Sequence, residues 1–123
     1  VNFYAGVHID STIVPLREGL AICNKPRVKS KKHLPLCMKD WEIIWVEDVT
    51  AQVFYQYPYA SKWIGLNMLS INDHTVIVDT AQLELSTILE KKGFTVIPHT
   101  LRHSRTLGGG HHCVTLDTWR END

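Results

Sequence analysis

The sequence predicts an α/β fold made of two similar units, and three observations carry that prediction. Pairs of short apolar runs are separated by turn residues. Each pair is followed by a stretch with weak or clear helical spacing, and then by a further short run of β-branched and aromatic residues. The resulting order, strand, strand, helix, strand, occurs twice in 123 residues. A repeat of this kind marks a unit that cannot bury its apolar faces alone.

In the first unit, residues 6–14 alternate apolar and polar side chains, and 15–19, with Pro15 and Gly19, reads as a turn. Residues 20–23 form a second short strand, broken by Asn24-Lys25-Pro26. Residues 28–38 have room for a helical turn or two, limited by Pro35, and 42–46 is a strand rich in Ile, Trp and Val. In the second unit, 63–71 and 75–79 flank the turn Asn72-Asp73 and predict a hairpin. Asp79 or Thr80 then caps a helix with Leu85, Ile88 and Leu89 as its apolar stripe, and Lys91, Lys92 and Gly93 end it. Strands follow at 95–97 and 112–119. The connection 47–61 holds Phe54, Tyr55, Tyr57, Pro58 and Tyr59. It either packs as an aromatic loop or lines a ligand site.

Size indicates one domain over 1–123. Hydrophobic residues make up 44% and charged residues 21% of the chain, a balance that favours a packed core over disorder. Lys plus Arg and Asp plus Glu number 13 each, without the basic surplus of a nucleic-acid binder. The basic run 25–32 reads as a solvated turn or, alternatively, a polyanion site. No apolar stretch approaches the roughly 20 residues of a membrane helix. No signal peptide is visible, and the chain begins without Met inside a strand-like run, as processing or a longer parent chain would produce. Three widely spaced cysteines predict free thiols in a reducing compartment, the cytoplasm.

The chemistry concentrates in Gly108-Gly109-Gly110-His111-His112-Cys113. Three glycines are costly in a helix or strand but allow close backbone approach. Two imidazoles and a thiol follow directly. Cys23 and Cys37 sit in apolar contexts that suit structural thiols. Cys113 follows flexible polar residues, and either a structural or a nucleophilic thiol fits there; nearby imidazolium or N–H groups would favour its thiolate. On a strand, His8 and Asp10 would project from one face. They form either a hydrogen-bonded pair or an acid/base with an anion for a cationic substrate. His99, His103, His111, His112 and Cys113 match no compact zinc spacing, so no metal is expected. No P-loop or dinucleotide fingerprint is present.

With His8-Ile9-Asp10 near one end and the Gly-Gly-Gly-His-His-Cys run near the other, the chain resembles the amidinotransferases. The likeness is to the C-terminal part of the glycine (arginine:glycine) type and its bacterial relatives. Further matching stretches are 19–27, Ser61-Lys62-Trp63 with Asn67, and Thr106-Leu107 leading into the glycines. The resemblance spans about 6–120. It implies the α/β propeller of guanidino-modifying enzymes, five ββαβ modules around a central active site. Here it covers a partial propeller: two modules, 6–46 and 61–98, and a closing strand at 110–120 carrying the cysteine.

The resemblance also implies covalent chemistry without a cofactor. A cysteine thiolate takes the amidino group of arginine or another guanidino donor and passes it to a small amine. Carried over by position, Cys113 is the nucleophile and His8 the proton shuttle. Asp10 binds the donor guanidinium. Arg27 and Ser61 contact the substrate's amino-acid end. Two departures stand out. The family has an aromatic residue where this chain has His111, which with Gly109 and Gly110 is a possible pocket element. The family's catalytic aspartate lies in a Phe-Asp-Ala-Ala-Asp type segment upstream of His-x-Asp, and none precedes His8 here. A fragment lacking that acid is therefore expected. Two other activities fit the same residues: a deiminase-type hydrolase, in which water resolves the intermediate, and a non-catalytic partial propeller serving as a binding module. Uncovered module faces predict self-association, most simply as a dimer.

Overall fold

A computed structural model describes residue 4 and residues 6–50 and 60–121. Residues Phe54, Tyr55, Tyr57, Pro58 and Tyr59 of the connection lie outside the described residues. The first unit runs β1 (Ile13–Arg17), β2 (Leu20–Asn24), a short helix α1 (Lys25–Val28), two 3-10 turns (Lys31–His33 and Leu36–Met38) and β3 (Glu42–Val46). The second runs β4 (Leu69–Asn72), β5 (Thr75–Asp79), α2 (Leu83–Lys91) and β6 (Thr95–His99).

Both units have one topology. The first two strands pair antiparallel and the last returns parallel to the second, so the orders are β1-β2-β3 and β4-β5-β6. Each sheet is open and three-stranded among the described residues. Pro15 does not end the first strand as expected. It lies inside β1, at the edge of the sheet beside a register shift, where a missing N–H costs little. Pro98 likewise lies in an edge strand, β6, with its register unbroken.

Period-two alternation divides the core. Val14, Leu16, Leu20, Ile22, Ile44 and Val46 face one side of the first sheet and join Val76, Val78, Leu85, Leu89 and Phe94 of the second unit. Ile13, Ala21 and Cys23 face the other side and meet Val28, Leu34 and Met38 of their own crossover. Strand β2 is buried throughout. Leu85 and Leu89, four residues apart, form the buried stripe of α2, and Ile88 packs beside them. The cap of α2 is Gln82, not Asp79 or Thr80. Among the described residues no helix is long and apolar enough to cross a membrane.

Two expected strands are different structures. The single strand expected over residues 63–71 is interrupted: a 3-10 helix, Lys62–Leu66, precedes β4. Gly65, Leu66, Asn67 and Met68 are buried in succession, which a half-buried strand cannot do. The closing strand at 110–120 is absent: residues 111–114 are a turn and 115–121 carry no regular structure. Val114, Leu116 and Trp119 do not pack; they are 56%, 85% and 82% exposed.

Candidate active site

The 3-10 turn Ile9–Ser11 leads into β1, and the 3-10 helix Lys62–Leu66 leads into β4. These two lead-in segments pack against each other. The glycine loop meets them there. Between them lies a cleft of about 520 Å³ whose lining includes His8, Asp10, Arg27, Ser61, Asn67 and Cys113.

The loop's shape follows from its glycines and from Asn67. Gly108 has φ 87°, in the left-handed region. Gly110 lies so close to Asn67 that a Cβ there would sit 2.7 Å from the Asn67 Cβ. The Asn67 carbonyl accepts from the His111 and His112 N–H groups at 2.9 and 3.4 Å. The Asn67 Oδ1 accepts from the Cys113 N–H at 3.0 Å. The chain then closes on itself. Val114 N–H donates to the Gly110 carbonyl at 3.3 Å, and the Thr115 hydroxyl bonds the His111 and His112 carbonyls at 3.2 and 2.9 Å. These bonds divert the backbone from a strand ladder, the physical reason the closing strand does not form.

The turn presents the thiol to a carboxylate. Cys113 Sγ–H donates to Asp10 Oδ2 at 3.1 Å, and His112 Nδ1 meets the same oxygen at 3.1 Å. Burial opposes charge on Asp10, but hydrogen bonds from Cys113, Asn67 and His112 outweigh it and hold the carboxyl below its ordinary range. Burial and the neighbouring Asp10 together raise the Cys113 thiol above its ordinary value, against smaller opposing hydrogen bonds from Gly110 and Asn67. The free thiol is thus a donor held protonated by an anion.

Arg27 reaches the cleft from α1. Asn24 caps that helix by accepting from the Arg27 N–H at 3.3 Å, and Pro26 fits its first turn. Arg27 Nη1 donates to Ser11 Oγ and Thr12 Oγ1, both at 3.0 Å. These partners are neutral hydroxyls on the turn that carries Asp10, so they orient the guanidinium without cancelling its charge. Gly6 allows the approach, since a Cβ there would lie 2.8 Å from Arg27 Nε. Burial shifts the Arg27 pKa downward.

The structure brings His8, Asp10, Arg27, Ser61 and Cys113 into one cleft. The strand argument for His8 and Asp10 fails, because Asp10 lies in a 3-10 turn with exposed His8 at its N-cap. Gly108 lines the cleft, whereas Gly109 and Gly110 support it from behind. His111 is not a pocket residue: it is buried, with Nε2 3.3 Å from His99 Nδ1. Among the described residues no group of three or more His, Cys, Asp or Glu side chains is placed to hold a metal ion. The sequence assigns no role in the cleft to Asn67 or His112. The available signal for Asn67 was an amide between Leu66 and Met68, in an otherwise apolar run.

No protein-family model matches the chain. It is 45% identical over 120 residues to inosamine-phosphate amidinotransferase 1 of Streptomyces griseus, covering 97% of this chain and 34% of the relative. It is 31% identical to the mitochondrial glycine amidinotransferase of Xenopus laevis over 93% of this chain and 27% of the relative. Its fold matches a solved inosamine-phosphate amidinotransferase from Streptomyces griseus with a TM-score of 0.90 and 43% identity, over 100% of this chain and 35% of that one. It also matches an amidinotransferase of the saxitoxin biosynthetic pathway from Microseira wollei, with a TM-score of 0.87 and 30% identity over 96% of this chain and 34% of that one. The chain therefore spans about a third of the length of the relatives it matches.

Proposed function

We propose, starting from a chain that is a homologue of the amidinotransferases, that it carries the nucleophile and donor-binding part of an amidino-transfer site. The observation that supports this most is the Cys113 thiol bonded to Asp10 in a cleft that also holds His8, Arg27 and Ser61. Asp10 suits the guanidinium of an arginine-type donor, which would replace the thiol and His112 as its hydrogen-bond partners. Neutralising Asp10 removes the anion that keeps the thiol protonated.

Cys113 passes its thiol proton to His8, and the thiolate attacks the central guanidinium carbon. The C–N bond breaks, the amine leaves with a proton from His8, and an amidino-thioether remains. An acceptor amine attacks that carbon, gives its proton to His8 and releases the thiolate. Arg27 and Ser61 hold the carboxylate end of the donor, the charge on Arg27 being uncancelled by its hydroxyl partners. Higher identity to inosamine-phosphate relatives than to lysine and glycine ones supports an inosamine phosphate as acceptor. The acid of the upstream motif is outside these 123 residues, so full turnover requires a further carboxylate.

In the same proposal the two ββαβ units are adjacent blades of an α/β propeller. The outer face of the second sheet, with Ile97 41% exposed beside Ile77, would then support a dimer. A monomer in sedimentation at micromolar concentration would refute the dimer. Mass spectrometry after incubation with labelled arginine tests the chemistry. The expected result is one amidino group on Cys113, absent in Cys113→Ser. A folded chain that forms no adduct would favour the binding-module reading. Conversion of arginine by water alone would favour the hydrolase.

A further inference from the structure

Asn67 joins the two halves of the site through both its backbone and its side chain. Its carbonyl takes two N–H groups of the glycine loop, and its Oδ1 takes the N–H of the nucleophile itself. The side chain is 2% exposed, so its polar atoms are committed to protein partners. Gly110 is pressed against it with no room for a Cβ. The lead-in helix Lys62–Leu66 ends at Asn67, whose own N–H closes the last turn onto the Ile64 carbonyl at 2.9 Å. Its position is therefore fixed by its own helix as well as by the loop.

We propose that Asn67 is the positioning residue of the nucleophile: its amide oxygen anchors the Cys113 backbone while its amide nitrogen faces the Asp10–Cys113 pair. The second half draws support from the cleft, whose lining brings Asn67, Asp10 and Cys113 together, and from the hydrogen bonding of Asn67 to both groups, which favours their ionised forms. An amide is suited to both tasks, since it accepts on one side and donates on the other. A carboxylate could only accept. An aliphatic side chain would leave the part-buried Cys113 N–H without its partner.

The inference rests on the proposed role of Cys113 but is tested without amidino transfer, so either can fail alone. The protein used is this chain with exposed Cys37 replaced by Ser, leaving Cys23 buried. Two readouts are taken: the pH profile of Cys113 alkylation by iodoacetamide, and amide hydrogen exchange across residues 110–115. In Asn67→Asp the acceptor survives, so Cys113 N–H protection persists. A new carboxylate beside Asp10 moves the alkylation midpoint up by about one pH unit, or roughly tenfold slower reaction below it. In Asn67→Ala the Cys113 N–H loses protection about tenfold or more, while the His111 N–H, bonded to the Asn67 backbone, keeps its protection. An unmoved midpoint in folded Asn67→Asp overturns the proposal, as does retained Cys113 protection in Asn67→Ala. Global unfolding of both variants also overturns it, assigning Asn67 to the core instead.

Discussion

The two ββαβ units share a strand order but spend their crossovers differently. In the second, nine residues of α2 supply an apolar stripe to the core common to both sheets. In the first, a four-residue helix and two 3-10 turns cover the far face of their own sheet and send Arg27 back to Ser11 and Thr12. One crossover holds the molecule together, whereas the other serves the cleft. The site itself comes from neither sheet. It lies where the lead-in turns of the two units meet the glycine loop. The strands thus form the scaffold, while the chemistry is carried by the connecting segments around them.

Core truncation should expose this contrast most strongly. Leu89 in α2 is fully buried in the shared core, whereas Leu34 in the first crossover is 5% exposed in a smaller cluster. Leu89→Ala is expected to cost about 4 kcal/mol and Leu34→Ala about 2–3 kcal/mol. Denaturant melts of both variants measure the difference. Equal losses would mean that the crossovers contribute alike and would break the comparison.

A smaller effect separates the units by pH. Burial pushes the Cys23 thiol of β2 up to about 11, and the central strand of the second sheet, β5, has no thiol. A raised folded pKa means stability that is complete below the unfolded thiol value and lost as pH rises through the folded one. Unfolding free energy should therefore fall by about 3 kcal/mol between roughly pH 9 and 11. Cys23→Ala should flatten that fall whatever its cost at neutral pH. Tyr4, raised by burial and by Cys23, titrates in the same sense and accounts for any residual slope. Amide exchange above pH 9 should open the first sheet before the second.

The contrast also explains what was legible in the sequence. Strand order could be read because β1, β2, β3 and β5 place alternate residues on opposite faces. The 112–119 alternation had the same form without the same cause: Val114 and Leu116 alternate into solvent, since the glycine loop and Thr115 turn the backbone away. His8 and Asp10 both line the cleft, although from a 3-10 turn and its N-cap instead of one face of a strand. Cys113 was marked by its glycines. Asn67 stood among the matching residues without a role, because nothing local reveals that a buried amide will receive a loop more than 40 residues away.

The smallest predicted effect tests whether the units are one cooperative body. Arg17 of β1 reaches the second unit, donating to the Asp73 and Lys92 carbonyls at 3.3 and 3.2 Å with its guanidinium 4.7 Å from the Phe94 ring centroid. Beside it, Glu42 pairs with Lys92, with side chains 58% and 37% exposed. Arg17→Met keeps an apolar stem near Phe94 but loses both bonds and the cation, a loss of about 1 kcal/mol because the freed carbonyls can rehydrate. Glu42→Gln removes an exposed pair and should cost less than about 0.5 kcal/mol. Amide exchange reads where each loss falls. With one core spanning both sheets, Arg17→Met lowers protection in β2 and β5 alike. If protection drops in only one of those strands, the junction is a contact between separately folding units, and the shared core does not couple them.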